Sequence, residues 1–435
     1  MRAGFACADI TPAVGSPLSG FIARLEVSQG VDLPLQARAL FLESRGTEAA
    51  LISLDLLGLA PDFADRAVAA VSDALGIPEG HVIVFSSHTH SGPVTLPMRG
   101  SDDVDESYLD TVESRIVAAA TEAKNKLQPA TPAWGQAPLT IGVNRRERLP
   151  DGTVRLGTNP NGPTDRSVRV LCLNSPGKRV VLFEYACHPY CLGGNSNLIS
   201  PDFFGHAAAV LAARGVDSVY LNGCGGDIAP IRGFQGAEAA RQEGQRLADA
   251  VLAASESAQL DDDSHFGVVS TRLGIPHNDL IPLSVVRGQM EAEDTTVRDE
   301  ERTNPLVQDR LRAAWHDWMA DLEAAVADRK ELAPIPARLS LLRLGRGAIV
   351  FLPGEVFYAI GQRIASRLDA KNVIVAAYSH GYVGYIPTAQ SYAEGGYEVN
   401  EAHRYIGLWQ KTPMAESILE AAVLQLWEGE RGLWG

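Results

Sequence analysis

The sequence predicts an α/β protein, a mixed sheet with flanking helices, and two observations carry that prediction. Short β-branched apolar runs such as Val82-Ile83-Val84 and Val180–Tyr185 alternate with alanine-rich stretches of helical periodicity. That is the pattern of buried strands covered by helices. Several of those runs also end abruptly in turns that hold histidine or glutamate, and open α/β sheets place their chemistry at the carboxyl ends of strands.

Each element follows in order. Ala37–Leu42 and Ala49–Asp55 are apolar runs separated by the turn-prone Ser44–Thr47 segment, and Asp9-Ile10-Thr11-Pro12 is a turn that Asp9 caps. Residues 61–76 read as a helix that leads through Gly76, Pro78 and Gly80 into the strand carrying Phe85-Ser86-Ser87-His88-Thr89-His90-Ser91-Gly92-Pro93. Residues 107–126 form an amphipathic helix whose last turn holds lysine, which suits the helix dipole. Leu139–Val143 reads as a strand running into Asn144-Arg145-Arg146-Glu147, and the Gly/Pro/Asn-rich 151–167 region as a surface loop. Val168–Asn174 and Val180–Tyr185 make a hairpin around Ser175-Pro176-Gly177, with the second arm running into Cys187-His188-Pro189. A helix over 206–214, a strand over Ser218–Leu221, the glycine-rich turn Asn222–Asp227 and a helix over 236–254 come next.

Residues 283–331 are highly charged, with Trp315, Trp318 and Leu322 at helical spacing; they form a helical insertion, read as a solvated helical pair, with a lid as the functional alternative. The strands Leu339–Leu344 and Ala348–Leu352 then run into Pro353-Gly354-Glu355. After a helix over 356–368, the strand Val373–Ala377 runs into a Tyr/His-rich turn, and a last helix occupies 413–428. No internal repeat is legible, and residues 1–435 read as a single domain with the helical insertion at 283–331.

Composition narrows the function. A formal net charge of −15 argues against nucleic acid as a partner, because phosphate binding needs a concentrated basic face. No stretch approaches the roughly 20 apolar residues that span a bilayer, so no integral membrane association is expected. The N-terminus lacks a secretory apolar core, and the five cysteines are odd in number and sparse. A cytoplasmic protein with reduced thiols acting on a small-molecule substrate is the simplest expectation. The oligomeric state is not set by the sequence.

Three apolar strands end in metal-capable groups: His88 with His90, His188, and Glu355. A catalytic zinc wants about three N/O ligands and an open position for water, commonly two histidines and a carboxylate. His81, His206, His265, His277 and His316 lack that strand-end setting and read as ordinary core or surface histidines. A thiol site is a rival: Cys187 adjoins His188, but successive side chains on a strand alternate sides, so Cys187 belongs to the core and Cys224 is the one thiol to test. A barrel-type metal hydrolase would need eight regular strand–helix units, which the chain does not offer.

The motifs Ser86–Pro93, His188-Pro189, Gly226-Asp227-Ile228-Ala229-Pro230, Pro353-Gly354-Glu355 and Tyr382-Val383-Gly384-Tyr385-Ile386-Pro387-Thr388 occur in this order. With Ala8–Pro12 and Asn144-Arg145, the set resembles the neutral/alkaline non-lysosomal ceramidase family. The resemblance implies a ceramidase-like zinc hydrolase catalytic domain that cleaves an amide (N-acyl) bond by attack of zinc-bound water. It implies His88, His188, Glu355 and Tyr385 as zinc ligands, His90 and Tyr397 as catalytic groups, and Arg145 as a substrate contact. Asp202 and Asp227 are candidates to orient the ligand imidazoles through their second nitrogen, and His380 and His403 lie close enough in sequence to reach substrate. One departure is Ala229, where the family carries a serine. A zinc-hydroxide mechanism does not require that hydroxyl. The expected lack of the family's C-terminal immunoglobulin-like domain and of a leader is what brings a zinc hydrolase of an ester, lactone or glycoside into view, with a non-catalytic homologue as a further alternative.

Overall fold

Runs that are apolar at every position become strands covered on both sides, and the chain uses one plan for them three times. In the computed structural model, which describes residues 1–231, 235–263, 265–291, 304–328 and 332–432, each unit is an antiparallel hairpin followed by a strand parallel to the hairpin's second arm. The hairpins are Gln36–Ser44 with Thr47–Leu54, Ser167–Ser175 with Lys178–Tyr185, and Ile335–Leu344 with Gly347–Phe351. The added parallel strands are Val82–Ser86, Val216–Asn222 and Asn372–Ala376. Further strands complete two five-stranded sheets and one four-stranded sheet, all mixed.

Alternation along each strand divides the core. One set of side chains, including Leu40, Leu51 and Phe85 from the first unit, Leu171, Leu182 and Leu221 from the second, and Leu342 and Phe351 from the third, meets in a central core shared by all three sheets. The opposite faces are each covered by two helices. Pro61–Leu75 and Glu106–Asn125 cover the first, Asp202–Ala213 and Ala237–Glu256 the second, and Tyr358–Arg367 and Ala415–Gly432 the third. Burial on both faces is why these strands read as continuous apolar runs.

This threefold plan corrects the expectation that the chain has no internal repeat. The hairpins share an arginine at the same place in their registers, Arg38, Arg169 and Arg338, and little else beyond apolar spacing. Packing, rather than residue identity, carries the repeat. At one end the units interlock: Ser86 N donates to Tyr378 O (3.0 Å), His380 N to Val84 O (2.7 Å) and Ala377 N to Asn222 O (2.8 Å).

Other expectations also change. The strand expected over Leu139–Val143 is Gly142–Arg148, and the loop expected over 151–167 contains its partner strand Val154–Asn159. Charge masked the first and Gly/Pro/Asn richness the second: Arg145 and Arg146 lie in a strand because Glu398 neutralises them from another segment. The insertion contains the helices Leu283–Glu291 and Pro305–Ala327, while residues 292–303 and 329–331 of it lie outside the described residues. The longer helix is not a solvated rod. It buries Val307, Leu311, Ala314, Trp318, Met319 and Leu322, and packs on Tyr405 and Trp409.

Candidate metal centre and active site

The interlocked end gathers one chemical group or more from each unit. From the first, the Val82–Ser86 strand runs out through Ser87, whose N–H donates to Leu54 O (2.9 Å), into His88, whose N–H donates to Leu56 O (2.9 Å). His88 takes a left-handed backbone (φ 69°), unusual for a residue with a side chain. Its Nδ1 donates to Leu57 O at 2.7 Å, and its ring stacks on Tyr378 at 4.3 Å. From the second unit, His188 follows the Lys178–Tyr185 strand, and its Nδ1 is held by Gly225 O (2.8 Å) and Ile228 O (2.9 Å). From the third, Glu355 is set by its N–H on Gly384 O (3.0 Å). Gly226 lets this happen, since a Cβ there would stand 2.5 Å from Glu355 O.

The three side chains converge. Glu355 Oε2 lies 2.9 Å from His188 Nε2 and 3.2 Å from His88 Nε2. Because each Nδ1 already donates to a carbonyl, the neutral tautomer leaves a bare lone pair on each Nε2. Three acceptors therefore face one another where a cation belongs. Arg145 Nη1, 3.1 Å from His188 Nε2, is the donor that approaches from the side. The spacing also suits zinc, whose tetrahedral ligands at about 2.0–2.1 Å stand roughly 3.3 Å apart. Ring nitrogens of His88, His90 and His188 form a group, within 4.8 Å of one another, that could hold a metal ion. By donor set and spacing, the residues fit a metal ion.

Protonation agrees with that fit. Burial, with Arg145 beside it, pushes the His188 imidazole down to about 4, and burial next to His88 and His188 pushes His90 well below its ordinary value. Burial alone would raise the Glu355 carboxyl, but His88 and His188 outweigh it and hold it well below the usual carboxylate range. Neutral imidazoles and an ionised carboxylate are the forms that bind metal.

His90 sits in the same cluster but is built differently. Its Nε2 is 3.4 Å from His88 Nε2, while its Nδ1 is buried with no hydrogen-bond partner. Its backbone carbonyl is held by Arg24 Nη1 (2.8 Å), and its ring meets the edges of Phe21 and Tyr190. Gly20 (φ 95°) is required beside it, because a Cβ there would stand 2.6 Å from the ring.

Arg145 links several of the expected residues. It donates through Nε to Glu398 Oε1 (2.9 Å) and through Nη2 to the Tyr385 hydroxyl (2.9 Å), in addition to its contact with His188. The Tyr385 hydroxyl is thus one guanidinium away from His188, and Tyr397 meets Tyr385 edge to face at 6.0 Å. His90, Arg145, Tyr385 and Tyr397 all line one cavity of about 160 Å³.

The expectation that Asp202 and Asp227 orient imidazoles is corrected, for backbone carbonyls do that work. Asp202 instead accepts from the N–H groups of Cys191, Leu192 and Phe203. Asp227 accepts from Asn144 Nδ2 (3.0 Å) and Tyr358 N (2.8 Å). His380 bonds Ser340 Oγ (2.7 Å), and His403 packs on Trp318; neither lines the cavity. Cys187 packs in the core as expected, and burial pushes the Cys224 thiol well up, which makes it a poor nucleophile. Sequence reasoning missed Tyr382, whose hydroxyl donates to Glu355 Oε1, and Glu398, the partner of Arg145. Tyr382 opens one of the motifs quoted above, and Glu398 adjoins Tyr397; neither spacing announces its contact.

Similarity to known proteins agrees with this geometry. No family model matches the chain. Over 220 residues it is 25% identical to neutral ceramidase B of Dictyostelium discoideum, a match spanning 46% of this chain and 30% of that protein. Among solved structures, neutral ceramidase from Pseudomonas aeruginosa superposes with a TM-score of 0.73 at 18% identity, covering 97% of this chain and 73% of that one. A ceramidase complexed with C2 gives the same TM-score at 17% identity, over 97% of this chain and 74% of its own. The resemblance to neutral ceramidases read from the motifs is thereby borne out, and the fold is the neutral ceramidase fold.

Proposed function

We propose that this protein is a zinc-dependent hydrolase that cleaves the amide bond of an N-acyl substrate. The observation that carries this reading is the meeting of the His88, His188 and Glu355 acceptors with no hydrogen to share, beside His90 and Arg145, which line a cavity. The likeness to ceramidases supports the amide as the bond attacked.

His88, His188 and Glu355 would hold the metal, with Tyr385 close by through Arg145. When bound, zinc supplies a Lewis acid and lowers the pKa of a coordinated water to about 7. The chain does the rest. Arg145 and Tyr190 are buried in the cavity wall, and a hydrogen bond aimed at the carbonyl from such a site counts for more than one in water. Tyr397 and Tyr385 stay protonated because burial pushes their phenols up, and Tyr397 donates to the oxygen that gains charge in the tetrahedral state. Arg145, doubly held by Glu398 and Tyr385, fixes that side of the site. His90 is neutral and not anchored at Nδ1, so it is free to take the proton from attacking water and return it to the leaving nitrogen. Ala229 carries no hydroxyl, so no side-chain nucleophile acts from that position.

The division of labour is testable with metal analysis and turnover side by side. Purified protein should carry about one zinc per chain, and His88→Ala should lose zinc and turnover together. His90→Ala should keep zinc and lose roughly 10²–10⁴ in rate, the usual worth of a general acid–base group. Equal loss of metal in both variants would put His90 among the ligands and overturn its assigned role.

A further inference from the structure

Resting on the amide-hydrolase reading, we propose that the substrate's acyl group is short, no larger than a benzoyl or hexanoyl group, and that Leu311 on the insertion helix sets this limit. The space over His90 is about 160 Å³. A cavity of about 150 Å³ holds one benzene, whereas pockets for drug-sized ligands run from about 300 Å³ upward. Phe21 and Tyr190 wall it beside His90, while Ile22, Met98, Leu311 and Tyr405 line the rest of it.

That closure is tied together at several independent points. Arg310 Nη1 donates to Arg24 O (3.0 Å), which pins the helix onto the 20–25 loop. Arg99 N donates to Tyr405 O (2.7 Å), Arg99 Nη1 to Arg404 O (2.6 Å), and the same guanidinium pairs with Asp321 on the helix. At Gly100 a Cβ would stand 2.6 Å from Ile22 Cδ1 and 3.3 Å from Arg310 O, so the loop, the helix and Gly100 are in close contact there. Beyond the wall made by Met98, Arg99 and Tyr405 lies a wider cavity of about 730 Å³ bordered by Asp62, Asp102, Asp103 and Glu106. A long alkyl chain would have to displace that wall, and beyond it would meet four carboxylates among the apolar side chains.

Binding of the product acids isolates the inference from turnover. Zinc-loaded protein is titrated calorimetrically with butanoate, benzoate, hexanoate, octanoate and dodecanoate, each below its micellar concentration. Affinity should peak at or below hexanoate, and dodecanoate should bind at least tenfold more weakly than the best short acid. Leu311→Ala should move the optimum two or three carbons longer, and Leu311→Phe should move it shorter, with circular dichroism confirming that both remain folded. Dodecanoate binding as tightly as butanoate to the unmodified protein would overturn the proposal, as would an unchanged optimum in both folded variants. Hydrolysis is scored separately on N-butanoyl and N-dodecanoyl anilides. If neither amide is cleaved but the short acids still bind best, the amidase reading fails and the size limit stands.

Discussion

His88 and His188 each spend Nδ1 on a backbone carbonyl, and His90 does not. That single difference separates an oriented ligand from a group free to carry a proton. Close to the same site lies a residue with the opposite problem, Lys411, a buried lysine whose Nζ stands 3.3 Å from where a Cβ on Gly384 would be. Burial pushes its ammonium down to about 7, with Glu355 only partly opposing. An unfolded lysine titrates near 10.4, so below about pH 7 both states are protonated and the folded state carries the whole cost of the buried charge. Between about pH 7 and 10 the unfolded chain binds the extra proton, so this contribution to stability rises with pH. Lys411→Met should therefore stabilise the protein by something on the order of 1–4 kcal/mol at pH 6–7, with the gain shrinking toward pH 10. Urea unfolding at pH 6, 8 and 10 measures this, and a gain that grew with pH would reverse the assignment. The ligand candidates were legible in the sequence because a histidine or glutamate within four residues of the end of a buried strand has few structural reasons to be there. Asp202, Asp227 and Tyr382 were not, because what each touches is fixed by segments far away in the chain.

At the scale of elements, the apolar strands and alanine-rich helices were legible because burial of a face leaves a period in the sequence. The Gly142–Arg148 strand left no such period, since Arg145 and Arg146 are buried with salt bridges to Glu398 instead of by apolar packing. The Pro305–Ala327 helix was found but misjudged. Its apolar stripe is sparse among charges, yet it forms small clusters of its own with Trp409 and Tyr405, apart from the three-sheet core. Such satellite packing predicts local rather than global loosening. Leu322→Ala, at a fully buried position, should cost that contact about 2–4 kcal/mol. Hydrogen exchange should then accelerate over 305–327 and 397–409 while the central strands keep their protection. Uniform acceleration across the sheets would mean that the helix is integral to the core.

For the whole molecule, the threefold plan turns one position into three experiments. Arg38, Arg169 and Arg338 occupy equivalent registers, but their surroundings differ in the number of carboxylates that face them. Arg38 pairs with the fully buried Asp55 at 2.7 Å. Arg169 faces both Asp165 (3.2 Å) and Glu184 (2.7 Å), and Asp165 also accepts from Ala186 N, two residues before His188. Arg338 donates to Glu79 O, while its Nη1 has no hydrogen-bond partner. Removing one partner of a buried ion pair typically costs 3–5 kcal/mol, because the other charge stays buried and unpaired. Arg38→Met should therefore destabilise by about that amount, and adding Asp55→Leu should recover most of it. Arg169→Met should cost at least as much and should also weaken zinc binding, since the segment delivering His188 hangs from Asp165. Arg338→Met leaves no carboxylate stranded, so its cost should stay below about 1 kcal/mol or turn into a gain. Denaturant unfolding of the three single variants, with zinc content measured on each, tests the order. Equal costs at the three positions would show that the arginines act through packing of their stems, and the ion pairs would then be incidental to what holds the three units around the site.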